Sequence, residues 1–329
     1  MRVLVTGAAG FLGQALVEEF ARHGSRVRAL VHRSTPPTWP GEVEVVSGDL
    51  GSPDFLVRAV ENVDAIVHAA ARVSTEGTWE DFAAVNVRGT MSLLEAAGEA
   101  GVGCVVHVSS LSVFAVPRDP YTVTDSSPYE SESNARGHYS RSKLAADRLA
   151  LWYAKRGAPV VVLRPGLLWG PGRRPPLARQ SFQRDGVRFI LARKDYPLPL
   201  SHVQSVARAA FLAVERARNV SGRGLNVVDV HVPQRLWVDA YRELSGGSWR
   251  PLYLPVQVVA AAAMLAERVL GFAGRRSPVT YHQIVRATRR AYYDCSATKE
   301  LLGWEPRSDW RSDLQAVLGS LKTDASRQT

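Results

Sequence analysis

Short apolar runs recur along the first half of the chain, each followed by a stretch of helical periodicity. The runs at 2–6, 26–31, 43–47, 64–68, 104–109 and 159–164 predict strands. Ala65-Ile66-Val67 and Val160-Val161-Val162-Leu163 lack the polar alternation of a half-exposed strand, so these strands should be buried on both faces. Helical patterns fall near 11–23, 53–61, 79–100 and 136–156. Strands and helices in alternation imply an α/β fold with a doubly wound parallel sheet covered on both sides. After residue 165 the alternation breaks. Segment 171–201 is rich in Pro and Arg and reads as an irregular excursion. A helix near 203–218 and a strand near 225–229 return to the sheet, and helical stretches separated by Pro and Gly fill 231–329.

Val256 to Leu270 is strongly apolar, but Gln257, Glu267 and Arg268 interrupt it, and it is shorter than the roughly 20 residues of a spanning helix. Segment 252–274 therefore reads as a core or lid helix over an apolar pocket, with peripheral membrane contact as the alternative. The chain opens Met1-Arg2 and enters an apolar strand at once, without the apolar stretch of a secretory leader, so a cytoplasmic protein is expected.

The net charge is +10, carried mostly by scattered Arg. No nucleic-acid motif or aromatic–basic interleaving accompanies it, so no nucleic-acid partner is expected. The charge either attracts an anionic cofactor or substrate or reflects a compositional bias. Cys104 and Cys295 are the only cysteines and read as free thiols. No Cys, His and carboxylate cluster has metal-ligand spacing, so no metal is expected.

Thr6-Gly7-Ala8-Ala9-Gly10-Phe11-Leu12-Gly13 sits between the first strand and the first helix. Glycines there permit a tight turn and let a pyrophosphate reach the helix N-terminus, the dinucleotide-binding signature of a Rossmann domain. The second strand ends Leu30-Val31-His32-Arg33, with no Asp or Glu from Val27 to Gly41. An NAD ribose usually finds a carboxylate there. His32 and Arg33 instead suit a 2′-phosphate, so NADP is expected over NAD; the alternative is a solvated Arg33 with relaxed cofactor choice.

Tyr139 and Lys143 are four apart on a helix and share a face. An ammonium near a phenol favours the phenolate and makes Tyr a usable acid or base. Val108-Ser109-Ser110 ends a strand, where ligands bind in open parallel sheets, so Ser110 points into the same crevice. Ser110, Tyr139 and Lys143 are the candidate catalytic residues.

These motifs, with Gly48-Asp49-Leu50, His68-Ala69-Ala70-Ala71, Asn86-Val87-Arg88-Gly89-Thr90, Leu163-Arg164-Pro165 and Trp169-Gly170-Pro171, resemble the extended short-chain dehydrogenase/reductases of the epimerase/dehydratase group. Leu301 to Pro306 resembles that family's C-terminal signature. The resemblance implies that Ser110 bonds the substrate oxygen and that Tyr139 gives or takes the proton. Lys143 would hold the nicotinamide ribose and tune Tyr139. Asp49 and Leu50 would flank the adenine, Ala69, Ala70 and Ala71 would line the cofactor, and Pro165, Gly166, Leu167 and Leu168 would approach the nicotinamide. Asn86 would fix local structure.

Two departures narrow the substrate. Leu167 stands where sugar-nucleotide epimerases usually carry Asn, and Leu111-Ser112 follows Ser110 where 4,6-dehydratases carry an acidic pair. The family's usual acids after His-Val are replaced by Gln204-Ser205. Leu163 to Gly172 is closer to the 3β-hydroxysteroid dehydrogenase and dihydroflavonol reductase branches, which implies an apolar ketone, aldehyde or alcohol. The rival readings are a nucleotide-sugar epimerase or dehydratase with bound NAD, and a non-catalytic NADP-binding sensor. The expected organisation is a Rossmann domain over 1–165 with a return segment at 202–230. A smaller, interleaved substrate-binding region would cover 166–201 and 231–322, before a flexible tail at 323–329. By the same resemblance a homodimer is expected through the helices near 79–100 and 136–156.

Overall fold

The computed structural model describes residues 1–33, 39, 41–74, 76–131, 137–177, 181–191, 193–272 and 289–327. The first elements are β1 (Arg2–Thr6), α1 (Phe11–Arg22), β2 (Arg26–Val31), β3 (Val43–Ser47), α2 (Pro53–Val60) and β4 (Ala65–His68). Next come α3 (Trp79–Ala83), α4 (Gly89–Glu99), β5 (Cys104–Val108), β6 (Tyr121–Val123), α5 (Gly137–Ala154) and β7 (Val160–Pro165). There follow β8 (Leu167–Trp169), β9 (Ser181–Arg184), β10 (Val187–Leu191), β11 (Pro197–His202), α6 (Val203–Glu215) and α7 (Ala217–Val220). The rest is β12 (Gly224–Val227), β13 (Val230–Pro233), α8 (Gln234–Ser245), β14 (Arg250–Leu254), α9 (Val256–Phe272), β15 (Ala291–Tyr293), α10 (Ser296–Leu302) and α11 (Trp310–Arg327).

Seven of these strands form one parallel sheet in the order β12-β7-β5-β4-β1-β2-β3. The order reverses direction between β1 and β4, and the crevice outside their carboxyl ends is where such sheets bind ligands. The all-apolar strands fit, because one face of the sheet packs on α1 and α6 and the other on α2, α4 and α5. Helical pattern 79–100 is broken by a π-turn at Ala84–Arg88 between α3 and α4. Such turns commonly occur at functional sites.

Segment 171–201 is more ordered than its Pro and Arg content implies. Asp185 and Gly186 have φ of 48° and 72° and close β9 onto β10. An Asp-Gly pair with both φ positive is a strong hairpin turn. β10 then pairs in parallel with β14, and β11 lies between β13 and β8. A separate core of Trp169, Tyr196, Leu198, Leu200, Trp237, Leu314 and Val317 holds this half together. α11 runs on to Arg327, through most of the stretch read as a tail. Segment 252–274 does hold a helix, α9, but Val258, Leu265 and Val269 on it face solvent rather than a core. Among the described residues no helix is long and apolar enough to cross a membrane. Cys104 and Cys295 are free and buried, and burial pushes both thiols up to about 12.

One buried ion pair staples α5 to the sheet. Arg164 of β7 grips Asp147 with a fork, Nε to Oδ2 and Nη2 to Oδ1, both 2.9 Å. Side-chain exposure is 1% and 0%, so neither charge has water to fall back on. The Tyr129 hydroxyl donates to Asp147 Oδ1 at 2.5 Å and accepts from Arg164 Nη2 at 2.7 Å. Breaking a buried pair from one side typically costs ~3–5 kcal/mol, because the other charge is stranded. Asp147→Ala should lose about that much stability in urea unfolding. A loss below ~1 kcal/mol would show that apolar packing alone seats the helix.

Candidate active site

The glycine-rich turn is dictated by crowding. Gly7 has φ of 69°, and a Cβ there would lie 2.8 Å from Ala70 Cα. A Cβ at Gly13 would come within 2.0 Å of Gly7 O, so α1 can approach β1 only without a side chain. Gly10 N donates to Gly7 O at 2.9 Å and turns the chain into α1. The first-turn amides of that helix, at Phe11, Leu12 and Gly13, have no intrahelical acceptor and carry a partial positive charge. The set fits a pyrophosphate.

Arg173 was not singled out from the sequence, yet its guanidinium carbon stands 5.6 Å from the centroid of the Phe11 ring. The strap that carries it is fixed at both ends. Gly170 fits where a Cβ would lie 2.8 Å from Val203, and Trp237 Nε1 donates to Pro176 O at 2.6 Å. The available signal was an acid-free run from Arg148 to Arg184.

The adenine end differs from expectation in one respect. His32 and Arg33 are both exposed at the end of β2. His32 Nε2, however, lies 3.2 Å from Asp49 Oδ2. β3 therefore brings a carboxylate to a place where the β2 sequence alone showed no negative charge. Arg33 makes no ion pair among the described residues. Asp49 also accepts from Gly51 N at 2.8 Å. Leu50 is buried, and a Cβ on Gly89 would lie 3.0 Å from its own Cβ. Ala69, Ala70 and Ala71 are half-buried beyond β4, at the β1–β4 crevice.

Ser110 and Tyr139 come together, near enough for the Ser110 hydroxyl to act on the phenol. Ser110 Oγ also accepts from Ser112 N at 3.2 Å, which sets its rotamer. Lys143 lies one turn along α5 and is buried, with Nζ donating to Val108 O at 2.5 Å. Burial lowers the Lys143 ammonium to about 8, opposed by the Asp147 charge. The expected lowering of the Tyr139 phenol by Lys143 is not found. Burial raises the Tyr139 pKa above its usual value, and the Ser110 hydroxyl offsets only part of that. The physical reason is that the ammonium is turned to the end of β5, not to the phenol.

A buried hydrogen-bond chain ties the two halves of the crevice. Ala70 N donates to Thr6 Oγ1 at 3.2 Å, and Thr6 Oγ1 meets His68 Nδ1 at 2.7 Å. His68 Nε2 meets Thr90 Oγ1 at 2.9 Å, and Thr90 spends its own proton on Asn86 O at 2.8 Å. His68 must therefore be protonated on Nε2 and accept at Nδ1. Burial, aided by Lys143, lowers its pKa to about 3 and keeps it neutral. Asn86 Nδ2 donates to Ser142 Oγ at 2.8 Å, and Ser142 Oγ donates to Tyr139 O at 2.8 Å. Asn86 Oδ1 accepts from Arg72 N at 2.7 Å, so Asn86 fixes local structure, as the sequence implied.

Pro165 ends β7, and Gly166 is required because a Cβ there would lie 2.4 Å from Pro199 O. Leu167 and Leu168 continue on β8, half-buried beside Leu200 and Ser201. The acids missing after His202-Val203 are answered from the turn between β12 and β13. Asp229 accepts from His202 N at 2.6 Å, Ser205 Oγ at 2.5 Å and Arg307 N at 2.8 Å.

Residues 3–227 match the NAD dependent epimerase/dehydratase family. Among curated proteins, the chain is 31% identical over 220 residues to a 2-alkyl-3-oxoalkanoate reductase of Stenotrophomonas maltophilia, covering 65% of this chain and 66% of that one. It is 30% identical over 332 residues to sterol demethylase protein B of Methylococcus capsulatus, covering 96% and 97%. It is also 33% identical over 226 residues to a Mycobacterium tuberculosis 3 beta-hydroxysteroid dehydrogenase/Delta 5-->4-isomerase, covering 64% and 60%. The crystal structure of gox2253 shares the fold with TM-score 0.84 at 24% identity, covering 98% of each chain. MoeE5, solved with UDP-glucuronic acid and NAD, is 28% identical with TM-score 0.74, covering 98% of this chain and 100% of that one. The chain belongs to the NAD dependent epimerase/dehydratase family, the extended short-chain dehydrogenase/reductases.

Proposed function

We propose that the protein reversibly reduces a ketone or aldehyde on an apolar, medium-sized substrate with NADPH. The observation that carries this reading is the meeting of Ser110 and Tyr139 beyond the end of β5, with buried Lys143 one turn along α5. When bound, the cofactor supplies the hydride. Tyr139 holds a proton at its phenol oxygen throughout the neutral range, because burial raises its pKa, so it can donate to a carbonyl oxygen that gains charge. Ser110 offers a second donor to that oxygen. The α1 N-terminus and Arg173 supply positive charge at the pyrophosphate end. Leu167 and Leu168 favour an apolar substrate, and the names of the reductase and hydroxysteroid dehydrogenase relatives support a carbonyl–alcohol reaction. The likeness to MoeE5 favours a second reading, a nucleotide-sugar reaction with NAD. NADPH oxidation against 3-oxoalkanoates, steroid ketones and UDP-sugars separates the two: tight UDP-sugar binding with no ketone turnover would replace the first by the second.

Three measurements test the assignments. Tyr139→Phe keeps the ring and removes the proton. Activity should fall ~10²–10⁴-fold with NADPH affinity little changed, and wild-type turnover would remove Tyr139 from the chemistry.

Lys143 is charged below its pKa of about 8 and neutral above it. If its charge serves the site, kcat/KM for ketone reduction should fall as pH rises through about 8. That limb should vanish in Lys143→Met, on a lower rate. A wild-type profile flat across this range would exclude the role.

For cofactor choice, Arg33 favours a 2′-phosphate while Asp49 opposes it. A charge-assisted hydrogen bond is worth ~1.5–3 kcal/mol, and each ~1.4 kcal/mol is tenfold. We expect about a tenfold preference for NADPH in kcat/KM. Arg33→Ala should erase it, and Asp49→Asn should widen it. Equal values for both cofactors in the wild type would leave Arg33 a solvated surface residue.

A further inference from the structure

Large apolar side chains in solvent are ordinary when scattered and informative when gathered. Six of the fourteen found exposed among the described residues fall on two adjacent elements and their hairpin: Phe182, Leu252, Val258, Met264, Leu265 and Val269. β9, β10 and β14 form a three-stranded sheet. Its inner side carries Ile190 and Tyr253, which pack with Val238 and Tyr241 of α8. On the opposite side the register sets Phe182, Phe189 and Leu252 in one row. Phe182 stacks on Phe189 with centroids 4.8 Å apart, and Phe182 is 58% exposed. Only Pro255 separates β14 from α9. Along α9, Val258, Ala261, Ala262, Leu265 and Val269 recur at helical spacing and are all exposed, Val258 and Leu265 at 64%. Ala260 and Ala263 on the other side are buried. A helix apolar on both sides is fully covered in its working state.

The charge around this surface decides what covers it. The next row of the outer sheet side is Arg184, Val187 and Arg250, with both arginines exposed. Arg184 has Asp185 3.3 Å away, and Arg268 stands exposed on α9. Arg184, Arg250 and Arg268 thus border the apolar side chains. A second copy meeting this surface about a two-fold axis would set arginine against arginine, which disfavours self-association. Aromatic and aliphatic side chains rimmed by arginine match the boundary between acyl chains and anionic headgroups. We propose that the outer side of the β9–β10–β14 sheet and the exposed side of α9 together seat on a bilayer containing anionic lipid. The protein lies on that surface and does not cross it.

Vesicle co-sedimentation of the full chain tests this, with phosphatidylcholine alone and with phosphatidylglycerol mixed in. Wild type should bind the mixed vesicles at least about tenfold more tightly than the neutral ones, and raised salt should weaken the binding. The double variant Leu265→Glu, Val269→Glu should bind about tenfold more weakly or worse. Its thermal melting should stay unchanged, because both side chains already stand in solvent. Phe182→Trp adds a reporter whose emission should shift to the blue on mixed vesicles. Four results overturn the proposal: no sedimentation of wild type with either vesicle, undiminished binding by the double variant, binding without a shift at position 182, or a wild-type dimer in gel filtration that the double variant splits. The last would assign the surface to a second copy of the chain.

Discussion

Helix α5, which carries Tyr139 and Lys143, is positioned by a pair of charges that never meet water. Asp147 stands one turn beyond Lys143 on α5, and Arg164 reaches it from β7 with both prongs of its guanidinium. A buried fork of this kind tolerates little sliding or rotation, since either motion strands a charge in a low-dielectric interior. Tyr139, Ser142 and Lys143 share the same helix, so their places relative to the end of β5 follow from that grip. The guanidinium also reaches Asp125 O and Gly224 O, so the same side chain binds the edge of the sheet to the loop beneath it.

Burial sets the electrostatics of the crevice in two opposed ways. It raises the phenol of Tyr139 and lowers the ammonium of Lys143, because in each case the charged form is the one that loses water. The neutral, protonated phenol of Tyr139 is therefore the favoured form. The buried chain from Ala70 through His68 and Asn86 to Tyr139 O links the end of β4 to the first turn of α5. Neutral His68 at its centre suits that role, since a charged ring would have no counter-ion there.

Much of this was legible in the sequence where the constraint is local. Gly7 and Gly13 are demanded by contacts within a few residues of each other and of β4, and the apolar strands announce a sheet covered on both faces. The Asp185-Gly186 turn was equally local, but the surrounding Pro and Arg hid it. What could not be read are partnerships between residues that lie apart in the chain. Asp49 reaches His32 from the next strand, Asp229 supplies a carboxylate where Gln204-Ser205 has none, and Arg173 returns to Phe11 after some 160 residues. The same separation hid Lys143 turning to Val108 O instead of Tyr139.

The outer strand of the main sheet bears on the order in which the protein can be made. β12 is an edge strand, and the side chain and carbonyl of Asn226 on it find partners far downstream. Asn226 Nδ2 donates to Asp294 O at 3.1 Å, and Thr298 Oγ1 donates to Asn226 O at 2.6 Å. Val228 N is capped by Cys295 Sγ, and Trp304 Nε1 donates to Ser205 O on α6. A chain leaving the ribosome from its N-terminus can pair the strands through β7 and even lay down β12. It cannot satisfy Asn226 fully until Thr298 has emerged. The nascent N-terminal half thus carries a partly unpaired border for the time it takes to synthesise some 70 further residues. Such a border is the kind of template that chaperones shield and that misassembly exploits.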